Sequence, residues 1–353
     1  MALGRHVDMG GFMRRTLALL ALAVGFTALT TLSSSLVSAA EDLYAAAGEV
    51  PIGGAARFDY LAVDSGAKRL YVTHGTEVVV IDTATQKVVG RITDTNGVHG
   101  IAFADGRGFA TAGAENKVAI VDLKTLQTVM KVDTGANPDA IVYEPAHKEI
   151  YSLNHTGKSV TVIEAATGKV TATIPLAGVA ESGAADPGLG RVYVNIEDKN
   201  SVAVIDTRTH TVIAHWSVAP AEEPTGMAID TVRHRVFVGG GPSQVMLDGA
   251  TGKVVASAPI CDGTDATVFD AGASLSMSSC SDGHITIIRV GPGDTMTVAQ
   301  TLATSRGART MTLDAATHKI YTAAATLGPP AAAGGRPVPV ADSFRVLVYA
   351  PKK

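Results

Sequence analysis

Seven polar residues recur along the 353-residue chain at intervals of 40 to 44 positions: Asp59, His99, Asp139, Glu181, Thr225, Asp265 and Arg309. Each stands near the start of a short segment, in the settings FDYLAVD, VHGIAFAD, PDAIVYE, ESGAADP, PTGMAID, TDATVFD and RTMTLD. Four carboxylates and an imidazole drawn to one place repel or compete unless a cation, protons or Arg309 compensates them. Oxygen-rich sets of this kind suit Ca²⁺, Mg²⁺ or Mn²⁺, and a set that includes histidine also suits Zn²⁺ or Fe. The metal candidates are therefore Asp59, His99, Asp139, Glu181 and Asp265. A metal with open positions would polarise a lactone or ester carbonyl and activate water, with His99 or a carboxylate as base and Arg309 steadying the anion. Solvated rim polarity, or hydrogen bonding between neighbouring units, accounts for the same residue types without any ligand. A binding or scaffold role thus stands beside the hydrolase or lyase one.

These residues converge only if the segments around them do. Residues 70 to 92, LYVTHGTEVVVIDTATQKVVGRI, read as strand, turn, strand, turn, strand, and a similar pattern occurs seven times. With the opening segment, each unit has four strands in forty-odd residues, the pattern of a propeller blade. Runs such as VVVID, VAIVD, VTVIE and VAVID are apolar without alternation, as expected of sheets covered on both faces by adjacent blades. The expectation is an all-β, seven-bladed β-propeller spanning residues 41 to 353, with four antiparallel strands per blade. The seventh unit lacks a fourth strand, and Leu43 to Ile52 is placed to supply it and close the ring. The seven recurring polar residues then ring the mouth of the central channel.

Other polar positions repeat too regularly to be separate sites. Asp82, Asp122, Glu164, Asp206 and Asp248 end third strands, each followed three residues later by a threonine. Such side chains accept hydrogen bonds from turn amides. Asp64, Asp186, Asp230, Asp270 and Asp314 close first strands in the same way and on the same face of the disc. The opposite face carries the ring and the loops between second and third strands, which add His74, Asn154 and His155 as ligand candidates and also contain Asn195 and Glu197.

The YVT of residues 71 to 73, the YVN of 193 to 195 and the recurring V-x-V-I-D-x-x-T-x-x-V resemble the YVTN-repeat β-propeller proteins, the YncE-like group. The resemblance covers essentially the whole chain after residue 40. It implies a propeller in a family whose architecture serves surface-layer proteins, periplasmic binding proteins and partners of redox systems, and whose relatives in shape include lactonases and metal-dependent lyases. The asparagine that follows Tyr-Val-Thr in the family is kept at Asn154, whereas His74, Ala112, Ile196, Gly240, Ser279 and Ala324 stand at the other six positions. Unit seven also carries an insertion, residues 327 to 343, whose Pro, Gly and Ala content reads as a flexible loop.

Residues 1 to 40 read as a secretory signal: Arg14-Arg15, an apolar run from Thr16 to Leu32, then small residues up to a cleavage point after Ala39 or Ala40. An uncleaved anchor is the alternative, and Met9 or Met13 would serve as later starts. A periplasmic or secreted monomer with no membrane span after cleavage is expected, its partner a small polar ligand or another exported protein. Without residues 1 to 40 the net charge is −6, which disfavours nucleic acid. Cys261 and Cys280 are the two cysteines and the candidate pair for one disulfide in an oxidising compartment. No P-loop, G-x-S-x-G elbow, C-x-x-C-H or H-E-x-x-H occurs.

Overall fold

The third strand of each unit is a run of β-branched and aliphatic residues, Val78–Ile81 in the first and Val202–Ile205 in the fourth, buried on both faces. The fourth strands are different: Lys87–Ile92 (KVVGRI) is mostly exposed and forms the outer rim. In the computed structural model, which describes residues 42–55, 57–330 and 337–352, these strands assemble into seven four-stranded antiparallel sheets. The secretory-signal reading of residues 1 to 40 lies outside the described residues. No helix among those described is long and apolar enough to cross a membrane.

Blade 1 comprises Phe58–Asp64, Arg69–His74, Glu77–Asp82 and Lys87–Ile92, in that order from the inside outward. Blades 2 to 6 repeat the order, with first strands opening at Val98, Pro138, Ala180, Pro224 and Thr264. Blade 7 takes its first three strands, Met311–Asp314, Lys319–Ala324 and Arg345–Pro351, from one end of the chain and its outer strand, Tyr44–Pro51, from the other. Tyr44 faces Pro351 and Pro51 faces Arg345 across that closing pair. Gln300 of blade 6 holds the closing strand in place: its Oε1 accepts the amides of Leu43 and Tyr44 at 2.9 and 2.8 Å, and its Nε2 donates to the Tyr44 carbonyl at 2.9 Å.

Among the described residues, seven apolar clusters occupy the seven contacts between neighbouring blades. Each sheet is thus buried by the next one, and closure of the ring buries the last. The insertion of blade 7 is more ordered at its base than a plain loop, because Leu327–Pro330 and Pro337–Pro339 pair as a short hairpin.

One face of the disc is built by the repeated turns. Asp82 Oδ1 accepts the amide and hydroxyl of Thr85 at 2.7 and 2.8 Å, and Asp122, Asp206 and Asp248 repeat the arrangement with Thr125, Thr209 and Thr251. The acids that close first strands do more than shape a turn. Asp186 of blade 4 meets His234 Nδ1 of blade 5 at 2.8 Å, Asp270 of blade 6 meets His318 Nδ1 of blade 7 at 2.7 Å, and Ser65 of blade 1 donates to Asp314 of blade 7 at 2.5 Å. They fasten blade 4 to blade 5, blade 6 to blade 7 and blade 7 to blade 1.

Candidate metal centre

The recurring polar residues reach the channel because the first strands are irregular where they stand. In blade 1, Phe58 faces His74 and Leu61 faces Val72, so the first strand carries one residue more than its partner around Asp59 and Tyr60. Blades 2 to 6 show the same slip around His99, Asp139, Glu181, Thr225 and Asp265. Such bulges interrupt pairing and re-aim side chains. In the first two blades the freed backbone is satisfied by a threonine of the second strand: Thr73, the threonine of YVT, accepts the Asp59 amide at 3.2 Å and donates to the Tyr60 carbonyl at 2.9 Å. Thr111 accepts the amides of His99 and Gly100 at 3.3 and 2.9 Å.

The structure divides the ring into two parts. On one side, His99 Nδ1 lies 2.7 Å from Asp59 Oδ2 and 3.4 Å from Asp139 Oδ1, so residues of blades 1, 2 and 3 meet. His155 joins from the loop after the second strand of blade 3, where its amide donates to the Asn137 carbonyl at 2.9 Å. Its Nδ1 stands 3.8 Å from Asp139 Oδ2 and 4.0 Å from Glu181 Oε1. On the other side, Arg309 Nε pairs with Asp265 Oδ2 at 2.5 Å, and the Thr225 hydroxyl donates to the Thr264 carbonyl at 2.6 Å. Asp265 and Thr225 therefore stand outside the histidine cluster.

Two loop candidates are engaged elsewhere. His74 stacks on Phe344, ring centroids 4.7 Å apart, with its ring nitrogens directed at Glu77 and the Ala55 carbonyl. Asn154 is fully buried and donates to Ser159 and Thr161 at 3.1 and 3.0 Å. Cys261 and Cys280 form a disulfide, with Cα atoms 5.7 Å apart.

The histidine cluster is electrostatically uncompensated. Burial, reinforced by Asp59 and Asp265 and opposed by His99, pushes Asp139 up to about 7. Burial and the surrounding Asp139, Asp265, Glu197 and Asp59 carry Glu181 to about 9. Burial also raises Asp265, although Arg309 pulls the other way. For His99 burial alone would depress the imidazole, but the hydrogen bond it donates to Asp59 and the charges of Asp139 and Asp59 outweigh it and raise it. Asp139 is 8% exposed, and its Oδ1 and the buried His155 Nδ1 have no hydrogen-bond partner. The donor atoms of Asp59, His99 and Asp139 lie within 4.8 Å of one another, as do those of Asp139, His155 and Glu181.

Tyr60 is the residue the sequence reading missed. The position after each ring residue holds Tyr60, Gly100, Ala140, Ser182, Gly226, Ala266 and Thr310, one aromatic among six small residues. The Tyr60 side chain leaves blade 1 and packs against the apolar cluster shared by blades 3 and 4. With Gly100, Ala140, Ser182, Gly226 and Ala266 it lines a cavity of about 240 Å³ in the channel. Burial and the charges of Glu181, Asp139, Asp265 and Asp59 hold its phenol well above the usual range, which places the ring of the tyrosine next to the cluster. The size contrast is visible in the aligned repeats, where Tyr60 is the one large side chain at its position.

A closed seven-bladed antiparallel propeller with an acidic, histidine-containing channel mouth is the class that fold and site define. The chain is similar to the uncharacterized protein YncE of Salmonella typhi, 30% identical over 149 residues, 40% of this chain and 42% of that protein. The YncE of Salmonella typhimurium strain LT2 is 29% identical over the same length and shares. The match thus spans less than half the length of each relative, and no family model matches the chain.

Proposed function

We propose that this is an exported binding protein whose channel mouth takes a divalent cation through Asp59, His99 and Asp139. One observation carries the reading: three ligand atoms of suitable type lie within 4.8 Å of one another, and the buried Asp139 Oδ1 among these residues has no hydrogen-bond partner. A cation would satisfy that oxygen and neutralise the carboxylates that now shift one another's protonation. An imidazole with two carboxylates suits a borderline ion such as Zn²⁺ or Mn²⁺ better than Ca²⁺. The hydrolase alternative needs Arg309 free to steady an anion, and its guanidinium is instead paired with Asp265. Binding is therefore the better-supported role. The Cys261–Cys280 bond supports export to an oxidising compartment.

The test is elemental analysis of the purified protein, with melting curves in chelator and in added Zn²⁺. A cation present at about 100 times its Kd stabilises by roughly 2.7 kcal/mol, so Tm should rise by about 5 °C in wild type and stay fixed in His99→Ala. Absence of bound metal together with an unmoved wild-type Tm would sink the proposal.

A further inference from the structure

We infer that the mouth holds not one but two divalent transition ions, bridged by the carboxylate of Asp139, with His99 and Asp59 on one ion and His155 and Glu181 on the other. The inference rests on the cation-binding reading above and deepens it.

The argument is the symmetry of the contacts about Asp139. Its two oxygens are directed oppositely: Oδ1 faces His99 Nδ1 at 3.4 Å, and Oδ2 faces His155 Nδ1 at 3.8 Å. Behind each imidazole stands a further carboxylate, Asp59 Oδ2 at 2.7 Å from His99 and Glu181 Oε1 at 4.0 Å from His155. The two triads share Asp139 alone. With metal–ligand distances of about 2.1 Å, two donors on one ion stand roughly 3 to 4 Å apart. The separations around His155 are too long for hydrogen bonds and fall in that range, as does the 3.4 Å between His99 and Asp139, whereas His99 and Asp59, hydrogen-bonded at 2.7 Å, must part slightly to share the first ion.

Each triad also contains one buried ligand atom without a hydrogen-bond partner, Asp139 Oδ1 in the first and His155 Nδ1 in the second. A single ion in the first triad would leave the second of these orphaned. Buried polar atoms are seldom left so, and Asp139, the residue that carries the shared ligand, is buried, its side chain 12% exposed. A bridging carboxylate between ions about 3.5 to 4 Å apart is the arrangement of two-metal sites. One imidazole and two carboxylate oxygens per ion leave coordination positions for water or an oxygen-bearing ligand, on the open side of the mouth. Tyr60 bounds the other side.

The experiment is a calorimetric titration of tag-free, chelator-stripped protein with Zn²⁺, repeated on His155→Ala and His155→Gln, and an electron paramagnetic resonance spectrum of the Mn²⁺-loaded wild type. Two equivalents per chain in wild type, falling to one in either His155 variant, with an exchange-coupled Mn²⁺ signal, supports the bridged pair. One equivalent that the His155 substitutions leave unchanged overturns the pair while the single-ion reading stands. No binding overturns both. The wild-type Mn²⁺ spectrum decides the question even where a variant fails to fold, because isolated ions give no exchange coupling.

Discussion

Blade 4 carries a carboxylate at each end, and the two live in opposite surroundings. Asp206, at the turn end, accepts the Thr209 amide at 2.8 Å and hydroxyl at 3.0 Å and the Arg208 amide at 3.0 Å, and these donors hold it below the usual carboxylate range. Glu181, at the mouth end, is surrounded by burial and by four other carboxylates, and stands at about 9. The first arrangement is repeated in blade after blade and is self-sufficient. The second occurs once, depends on side chains from four blades, and becomes favourable only when protons or cations arrive. The carboxylates of the Asp-x-x-Thr turns have their partners within their own turn, whereas Asp139 and Glu181 at the mouth are the ones that need something from outside.

The largest test of this contrast is Glu181→Gln in metal-free protein. A carboxyl whose folded pKa lies above its unfolded value of about 4.3 holds its proton in the folded state and gives it up only on unfolding. Between those two values the folded state binds more protons than the unfolded one, so stability falls as pH rises. Asp139, shifted to about 7, contributes in the same direction. Wild type and Glu181→Gln should therefore melt together near pH 4. They should separate as pH rises toward 9, the glutamine variant ending the more stable by about 5 °C or more. Parallel curves across that range would mean that Glu181 is not held neutral by its surroundings.

A smaller effect is expected at Tyr60, which joins the mouth to the packing beneath it. Tyr60→Gly removes a ring that blade 1 lends to the cluster between blades 3 and 4. The loss should cost about 2 kcal/mol, a fall of roughly 4 to 6 °C, whereas Tyr60→Phe should melt within about a degree of wild type. A glycine variant as stable as wild type would show that the tyrosine does not tie opposite sides of the ring.

The fold was legible because its determinants are local and repeated. Apolar runs such as VVVID mark strands covered on both faces, Asp-x-x-Thr marks the turns, and the missing fourth strand of unit seven pointed to Leu43–Ile52, whose residues Tyr44–Pro51 do form it. The site was legible only as a ring. Its division into a histidine cluster and an Asp265–Arg309 pair depends on side-chain directions set by bulges, which leave no residue-type signature at the positions that matter. The inter-blade contacts of His234 and His318 were likewise invisible, because a histidine before a second strand reads as surface polarity until its neighbour's aspartate is in view.

The smallest expected effect belongs to Asp206→Ala, and its value lies in its sign. A carboxylate whose folded pKa is depressed stabilises the protein above its unfolded pKa, and that contribution disappears as pH falls through the folded one. The substitution should thus lower Tm at pH 7, by no more than about 2 °C since the group is exposed and screened, and its effect should shrink as the pH falls below the unfolded value and the carboxyl takes up its proton. Glu181→Gln and Asp206→Ala each remove an ionisable carboxyl from the same blade, yet the first should raise Tm at neutral pH and the second should lower it. Because the two sites share no partner, the double variant should show the sum of the single shifts. If instead both variants moved Tm in the same direction, the loss of a carboxyl in either place would act alike, and the distinction between a self-satisfied turn face and a needy mouth would fail.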